Sequence, residues 1–229
     1  MRPHEWSTIR ALTLFHDMSE QNFGTLMNAA FLQQFPARVS LITEGDLPDF
    51  LHIVVEGPVE LYAGHDGHET TLDIIGPVTT FILAAVIRDE PYLKSARTLS
   101  PAKILMVPAQ TVRDVFGRDA AFARAIVDEL AQRYRGIVKA LKNEKLRTSA
   151  QRLANWILST DAQQGRRRQV DLKYDKRIIA SNLGMSPENL SRNLALLGEH
   201  GIRSSARGIV IEDRSALERF AKPNPLIDS

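Results

Sequence analysis

A glycine, followed shortly by a serine and a proline, separates two helical segments in the carboxy-terminal third of the chain. Asp175 is a suitable N-cap for the first segment, and the small residue Ala180 lies four positions before Gly184. A small residue lets a second helix approach closely, and a glycine closes a tight turn. Ser186 then caps the next helix, with Pro187 at its first position, which is the preferred order at a helix start. This stretch therefore predicts a helix-turn-helix.

The second helix of the pair has two different faces. Its apolar stripe consists of Leu190, Leu194 and Leu197. Glu188, Ser191 and Arg192 lie on another face, near the amino-terminal end of the helix. Arg192 can donate to both acceptors of a guanine edge, and Glu188 can accept from the amino group of cytosine. The pattern is typical of a helix that enters the major groove of DNA. The alternative is a solvated face with an intrahelical Glu188–Arg192 pair.

Basic residues on both sides of this helix predict contacts with the phosphate backbone. The run RSSARGIVIE resembles a hairpin, and it carries Arg203 and Arg207 beside Gly208, as a wing would. The other predicted DNA contacts are Ser186, Asn189, Lys176 and Arg177. Residues 1–118 contain 9 basic and 14 acidic side chains, whereas residues 119–229 contain 20 and 13. This asymmetry favours a polyanion-binding carboxy-terminal module.

The stretch from about residue 38 to residue 107 consists of short β-type runs separated by turns. The pair Asp66-Gly67 between two such runs is a strong hairpin signal. Several short strands with regular turns predict a small β-barrel or sandwich. Near the other end of the chain, Ser215 and Glu218 match a capping box and predict a short terminal helix.

A long helical stretch from about residue 119 to residue 146 carries a narrow apolar seam. The seam residues recur at spacings of three and four, and they are Val127, Leu130, Tyr134, Ile137 and Leu141. This is the a/d spacing of a coiled coil, and it predicts a homodimer interface. The alternative is a helix that packs on its own domain. Glu144 occupies the next seam position, so we expect the pairing to end there.

Composition and motifs exclude several classes of protein. The chain contains no cysteine, which excludes disulfides, cysteine-ligated iron–sulfur clusters and thiolate zinc sites. It has no run of about 20 apolar residues and no signal-peptide core, so we expect a cytoplasmic protein without a membrane partner. It also lacks a phosphate-binding P-loop and a nucleophile elbow, so we do not expect an enzyme.

With these parts in this order, the chain resembles the CRP/FNR family of bacterial transcription regulators along nearly its whole length. The resemblance implies an α+β fold: an amino-terminal β-roll (jelly-roll, cyclic-nucleotide-binding-like) effector domain over 1–118, a dimerisation helix over 119–146 and a carboxy-terminal winged helix-turn-helix over 147–229. The motif Glu188-x-x-Ser191-Arg192 is similar to that of the FNR-type branch, which binds palindromic TTGAT-like half-sites. Pro187 stands where CRP-type members carry an arginine. The implied partners are double-stranded DNA, a second copy of the chain and RNA polymerase.

The resemblance also locates a cassette for the effector, the stretch GPVTTFILAAVIRDEPYLKSA. Members that bind cyclic nucleotides carry Gly-Glu and Arg-Ser in this cassette. Here Phe81 replaces the glutamate and Lys94-Ser95 stands for Arg-Ser, so the bidentate anion site is degraded and we do not expect cAMP to bind. The predicted effector pocket consists of Phe81, Ile82, Leu83, Val86, Tyr92, Lys94 and Ser95. The alternative is that its apolar members are ordinary core residues.

The apolar cassette is similar to that of the nitrogen-oxide-responsive (DNR/NnrR-like) branch, which implies haem as a possible cofactor. A haem needs an axial ligand, and histidine is the usual one. The six histidines are His4, His16, His52, His65, His68 and His200. His4 and His16 belong to the amino-terminal arm and are the candidates, although neither is assigned as a metal ligand. Two further hypotheses stay open: a ligand-independent regulator, and a cyclic-nucleotide sensor with a degenerate site.

Overall fold

A computed structural model describes the backbone of residues 3–205 and 208–228, with the side chains of residues 3–5 and 8 outside the description. The chain divides into two compact units, Met1–Arg133 and Tyr134–Ser229. Within the described ranges no helix is long and apolar enough to span a membrane.

The first unit is built on two four-stranded antiparallel sheets. Its strands are β1 Phe31–Phe35, β2 Ser40–Ile42, β3 Phe50–Glu56, β4 Val59–His65, β5 His68–Ile75, β6 Thr79–Phe81, β7 Ser95–Thr98 and β8 Ala102–Pro108. One sheet has the order β1-β8-β3-β6 and the other β2-β7-β4-β5. Asp66 and Gly67 both have positive φ between β4 and β5, as a type I′ hairpin turn requires. The predicted hairpin is confirmed.

Helices flank the sheets of this unit. They are α1 Pro3–Arg10, α2 Glu20–Ala29, α3 Leu83–Arg88, α4 Ala109–Phe116 and the first part of α5 Ala120–Leu146. They share one apolar core with the strands, and residues such as Phe15, Leu26 and Phe122 are fully buried in it. This core forms because strands and helices each present an apolar face that must be covered.

The buried carboxylate of Asp119 connects α2 to α5. Its Oδ2 accepts from the backbone N–H and the hydroxyl of Ser19, both at 3.1 Å, and from the Asn22 amide at 2.9 Å. Its Oδ1 accepts from the Phe122 N–H at 2.9 Å, which satisfies a donor at the start of α5. These bonds hold the amino-terminal end of α5 against the first unit.

The second unit contains the last part of α5 and a small α+β domain. Its further elements are α6 Ser149–Gln163, β9 Gln169–Asp171, α7 Lys176–Asn182, α8 Pro187–Gly198, β10 Ile202–Ser204, β11 Gly208–Ile211, α9 Arg214–Ala221 and α10 Pro225–Asp228. The three strands form an antiparallel sheet in the order β10-β11-β9. The core contains Leu153, Ile157, Ala180, Leu197 and Ile211. The α+β fold class, with a β-sandwich followed by a long helix and a helix-turn-helix domain, is confirmed.

The turn between α7 and α8 has the predicted chemistry. Gly184 adopts a φ of 62°, in the left-handed region that favours glycine. Its N–H donates to the Ser181 carbonyl at 2.9 Å, and the Met185 N–H donates to the Ala180 carbonyl at 3.0 Å. Ala180 is fully buried, which allows α7 and α8 to pack closely.

The start of α9 corrects one sequence prediction. The helix begins at Arg214, and its N-cap is Asp213, whose carboxylate accepts from the Ala216 N–H at 2.9 Å. Ser215 is therefore inside the helix and does not cap it. The capping-box pattern of Ser215 and Glu218 was misleading because aspartate is an equally good N-cap two residues earlier.

Candidate nucleic-acid interface and effector cassette

Helix α8 is fixed at its start and along one face. The Ser186 side chain accepts from the Asn189 N–H at 3.2 Å, and Pro187 occupies the first helical position. The buried face consists of Leu190, Asn193, Leu194 and Leu197. Glu188, Ser191 and Arg192 are exposed on the opposite side. The sequence therefore folds α8 as a helix that presents its first two turns to an external partner.

The three exposed side chains of α8 differ in how far they are already paired. Hydrogen bonds from its own N–H and from Ser186, together with the charges of Arg192 and Arg177, hold the pKa of Glu188 below its usual value. The Ser191 hydroxyl donates to the Pro187 carbonyl at 3.1 Å. Glu188 and Arg192 are not joined by an ion pair among the described residues. The guanidinium of Arg192 is thus available to an external acceptor.

Two asparagines connect α8 to the start of α6. The Asn193 amide donates to the Ser149 hydroxyl at 3.1 Å and contacts the sulfur of Met185 at 3.5 Å. The Asn189 amide donates to the same hydroxyl at 3.4 Å. Asn189, a predicted DNA contact, is therefore half-buried and already has a partner inside the domain.

A buried arginine supports the turn that precedes α8. The Arg152 guanidinium donates to the carbonyls of Leu183 at 2.9 Å, Gly184 at 3.0 Å and Arg147 at 3.1 Å. It also forms a 3.3 Å ion pair with Glu144 near the end of α5. Because carbonyls of a tight turn otherwise lack partners, this one side chain stabilises the geometry from which α8 begins.

The residues predicted to contact the phosphate backbone of DNA differ in whether their side chains already have partners. Lys176 and Arg177 are exposed in the first turn of α7, which is capped by Asp175. Arg203 is exposed on β10 and forms a 2.7 Å ion pair with Glu212. Arg207 lies outside the described residues.

The structure places the predicted effector residues in and around the core of the first unit. Phe81, Ile82, Leu83 and Val86 are buried members of the core cluster. Tyr92 is buried too, and burial, with Asp49 and Asp46 nearby, raises its pKa to about 12. The Ser95 hydroxyl accepts from the Glu44 N–H at 2.9 Å. Lys94 is half-buried, and burial lowers its pKa.

Helix α5 supplies polar groups to the cassette that sequence analysis did not single out. Arg133 donates to the Thr80 carbonyl at 2.8 Å and forms a 3.0 Å ion pair with Glu129. The Thr80 hydroxyl donates to Glu129 at 3.2 Å. The charge of Arg133 also acts on Lys94 and favours its neutral form, whereas Asp73 favours its charged form. The cassette therefore keeps two cations, and one of them comes from the long helix.

The histidines lie in very different surroundings. His16 is on the surface, with its Nδ1 2.7 Å from an Asp17 oxygen. The side chain of His4 lies outside the described residues. His52 is only 3% exposed, and its ring stacks on Phe81 with centroids 5.2 Å apart. Burial lowers the pKa of His52 to about 4, and its Nδ1 has no hydrogen-bond partner in the described structure.

Most of the predicted seam on α5 is exposed in the single chain. Val127, Tyr134, Ile137 and Leu141 are between 55% and 69% exposed. Leu130 instead packs partly against the core of the first unit. A row of large apolar side chains left in water is the pattern of an uncovered interface.

Sequence analysis did not single out Asn193 and Arg152, but one signal could have identified them: each is a polar residue inside an apolar helical stripe. Asn193 lies between Leu190 and Leu194, and Arg152 lies next to Leu153 on the buried side of α6. Polar groups at such positions must find partners inside the fold. No comparable signal marks Arg133, since the helix around it is rich in charged residues.

Two family models match the chain. Residues 32–119 match the cyclic nucleotide-binding domain, and residues 151–220 match the Crp-like helix-turn-helix domain. Together with the geometry of α7 and α8, these matches define the class: a transcription regulator with a DNA-binding helix-turn-helix, and not an enzyme. The chain belongs to the CRP/FNR family.

Individual relatives share the whole arrangement. The CRP-like cAMP-activated global transcriptional regulator of Mycobacterium tuberculosis is 25% identical over 194 residues, which cover 82% of this chain and 87% of the relative. A crystal structure from Ruegeria pomeroyi DSS-3, provisionally named as a cyclic nucleotide binding protein, has a TM-score of 0.61 and 26% identity, and covers 97% and 100%. FixK2 from Bradyrhizobium japonicum has a TM-score of 0.71 and 22% identity, covering 83% and 96%, and supports the fold alone.

Proposed function

We propose that this protein is a homodimer that binds palindromic DNA through α8 and responds to a small effector other than cAMP. Glu188, Ser191 and Arg192 contact bases. The contacts with the phosphate backbone are Lys176, Arg177, Arg203 and Arg207, and Ser186 and Asn189 are further DNA contacts. The observation that carries the proposal is Arg192, which is exposed and in no ion pair with another described residue, in the second turn of a helix whose other face is buried. Folding does not require an arginine there, whereas a guanine edge does.

The exposed seam of α5 supports the homodimer. Helices that carry apolar residues at this spacing cover them by pairing with a partner helix. In a symmetric dimer the two α8 helices read two half-sites related by the same two-fold axis, so the target is a palindrome. The motif of α8 favours TTGAT-like half-sites. The dimer acts on chromosomal DNA in the cytoplasm, and from there it contacts RNA polymerase.

The cassette supports an effector other than cAMP. Phe81 occupies the place of a phosphate-binding glutamate and is buried against His52. Two β-branched residues, Val78 and Ile82, have positive φ on either side of β6. Such strain costs on the order of 1–3 kcal/mol per residue, and it concentrates at ligand-binding and switch segments. Thr80 lies between them and is hydrogen-bonded to Glu129 and Arg133. A change in the conformation of β6 would therefore alter its contacts with α5.

A haem-dependent response to nitric oxide is the second candidate. The observation in its favour is His52, a buried imidazole whose pKa is lowered by burial, against an opposing contact with the Phe50 backbone, and whose Nδ1 meets no hydrogen-bond geometry in the part of the chain that the structure describes. Neutral imidazole is the form that ligates iron. If haem binds, purified protein with added haemin gives a Soret band that shifts with nitric oxide. His52→Ala then abolishes the band, whereas His16→Ala abolishes it only if the amino-terminal arm supplies the ligand. A featureless spectrum excludes this candidate.

The test of the DNA-binding proposal is a gel-shift series with Arg192→Ala. We expect preference for one guanine–cytosine pair in each half-site to fall by about 5- to 150-fold, the equivalent of 1–3 kcal/mol. Nonspecific affinity and its dependence on salt should change little, because phosphate contacts determine both. The matched control is Arg219→Ala, which removes an exposed arginine from α9 in the same domain. Unchanged base preference in Arg192→Ala would show that α8 is not the reading helix.

A further inference from the structure

The chain segment after α9 returns to the junction between α5 and α6. Helix α5 ends at Leu146 and α6 begins at Ser149, so Arg147 and the N-cap residue Thr148 connect the two helices. The Nη1 and Nη2 atoms of Arg147 each donate to one carboxylate oxygen of Asp228 at 2.6 Å. The Arg147 side chain is only 6% exposed. We call this bidentate pair, with the residues 222–228 that carry it, the carboxy-terminal clasp.

Further hydrogen bonds attach the clasp to the last turns of α5 and to the end of α9. Arg147 also donates to the Asn143 side chain at 3.0 Å and to the Lys222 carbonyl at 3.5 Å. Lys142 donates to the Leu226 carbonyl at 3.3 Å. Residues from the last turns of α5 and from the segment after α9 therefore meet at the connection between α5 and α6.

Hydrogen bonds within residues 224–228 also fix the position of the Asp228 carboxylate. The Asn224 N–H donates to the second oxygen of Asp228 at 2.6 Å, and the Asn224 side chain accepts from the Leu226 N–H at 2.8 Å. Partial burial opposes the charge of Asp228, but the bonds from Arg147 and Asn224 outweigh it, and the pKa of Asp228 is lowered. A bidentate, largely buried ion pair with a fixed acceptor contributes more to stability than an exposed surface ion pair.

We propose that the carboxy-terminal clasp locks the angle between α5 and α6, and thereby sets the spacing between the two recognition helices of the dimer. A connection of two residues has four soft backbone dihedrals, so side-chain contacts across it restrict the angle between the helices. The clasp joins the end of α5 to the end of α9, and the Asn155 amide of α6 donates to the Ala221 carbonyl of α9 at 2.7 Å. The inference rests on the proposed dimeric DNA binding. In such a dimer the two α5 helices pair, so the angle between α5 and α6 determines how far each α8 lies from the dimer axis.

The experiment measures spacing preference and not affinity alone. A palindrome is first selected with the wild-type chain from random duplexes, and its half-sites are then moved apart or together by one and two base pairs. We expect Asp228→Asn and Arg147→Lys to weaken binding at the best spacing by about three- to tenfold, or roughly 0.6–1.4 kcal/mol. Binding at the altered spacings should change less, so the spacing preference falls.

The control variant is Glu218→Gln, which also converts a carboxylate to an amide in this unit. It removes a 2.8 Å ion pair with Arg214 within α9, away from the junction, and should keep the wild-type preference. A spacing preference that Asp228→Asn leaves unchanged overturns the proposal, as does tighter binding at the best spacing, since the clasp would then be inhibitory.

A second measurement tests the clasp independently of DNA binding. Amide hydrogen exchange over residues 143–152 should accelerate by about tenfold or more in Asp228→Asn under native conditions, while the core of α6 stays protected. If the wild-type chain selects no palindrome, the proposed function fails, and the exchange result alone decides whether the clasp holds the junction. Unchanged exchange overturns the clasp.

Discussion

Buried polar side chains determine how the second unit presents α8. Arg152 donates to the carbonyls of Leu183 and Gly184 at the start of the α7–α8 turn, and the Asn193 amide donates to Ser149 at the start of α6. Each of these groups would be costly if left unpaired inside the fold. The residues that fix the position of α8 are therefore different from the residues that we propose contact bases.

Arg152→Met should destabilise the second unit by roughly 3 kcal/mol, because several carbonyls lose a charged donor in a buried place. Urea unfolding followed by Trp156 fluorescence in a Trp6→Phe background measures this unit, since Trp156 packs against its core. Arg219→Met makes the same change at an exposed site and should cost well under 1 kcal/mol. Equal losses in the two variants would contradict the role assigned to Arg152.

The carboxylate of Asp119 predicts an acid-dependent step in the first unit. Burial opposes its charge, but the bonds from Phe122, Asn22 and Ser19 prevail and lower its pKa from 3.8 to about 2. A lowered folded-state pKa adds stability that is fully present above pH 4 and is lost as the pH falls towards 2. The difference corresponds to about 2 kcal/mol.

Urea unfolding at pH 5 and at pH 2.5 should therefore show a gap between wild type and Asp119→Asn that narrows in acid. Other carboxylates titrate in both proteins and cancel in the comparison. A gap that stays constant across this range would mean that Asp119 is not the titrating group.

At the scale of elements, α5 is the part of the fold most dependent on a partner. Its amino-terminal end is held by Asp119, whereas the seam from Val127 to Leu141 is mostly exposed. Helical stability in proteins comes mainly from covering one apolar face. The homodimer proposed above would cover the seam of this 27-residue helix.

Ile137→Lys should convert the dimer to monomers in analytical ultracentrifugation at micromolar concentration. It places a charge at the centre of the seam, where it would have to be buried against its symmetry mate. DNA affinity should fall with it by tenfold or more, on the order of 1.4 kcal/mol, because the second half-site is lost. Gln132→Lys adds the same charge on the opposite, exposed side of α5 and should stay dimeric. A dimeric Ile137→Lys would place the interface elsewhere.

Local patterns predicted most elements correctly, and the exception is instructive. The Asp66-Gly67 hairpin, the α7–α8 turn and α8 itself follow from residues within four positions of each other. The start of α9 did not, because Asp213 and Ser215 offer two caps of similar quality and the pattern does not choose between them. Helix ends are decided by which cap the rest of the fold accommodates.

Across the whole chain, a more acidic amino-terminal part is followed by a basic part that carries the DNA-binding helix-turn-helix. If the proposed effector binds the cassette of the proposed dimer, coupling requires only that it favours one arrangement of the dimer over another. The contacts that start at Thr80 and reach Glu129 and Arg133 lie near the middle of α5. Those of Glu144, Arg147 and Arg152 lie at its carboxy-terminal end.

Addition of cAMP up to millimolar concentration should leave the affinity for the selected palindrome within about twofold, less than 0.5 kcal/mol. The physical reason is that a buried phenylalanine replaces a carboxylate, and a lysine provides a point charge in place of a bidentate fork. Calorimetric titration of the free protein checks the same point without DNA. Tighter DNA binding by tenfold or more would restore the cyclic-nucleotide hypothesis.

Local residue patterns were enough to predict the helix-turn-helix, the exposed polar face of α8, the hairpin at Asp66-Gly67, the apolar seam of α5 and the charge asymmetry. Each depends on side chains that are neighbours along a helix, a strand or a turn, where periodicity and dihedral preference act directly. Only the tertiary structure decided which polar groups are paired. Arg152 with Gly184, Arg133 with Thr80 and Arg147 with Asp228 are 32, 53 and 81 positions apart. No local pattern contains both partners, because packing of the whole domain brings them together.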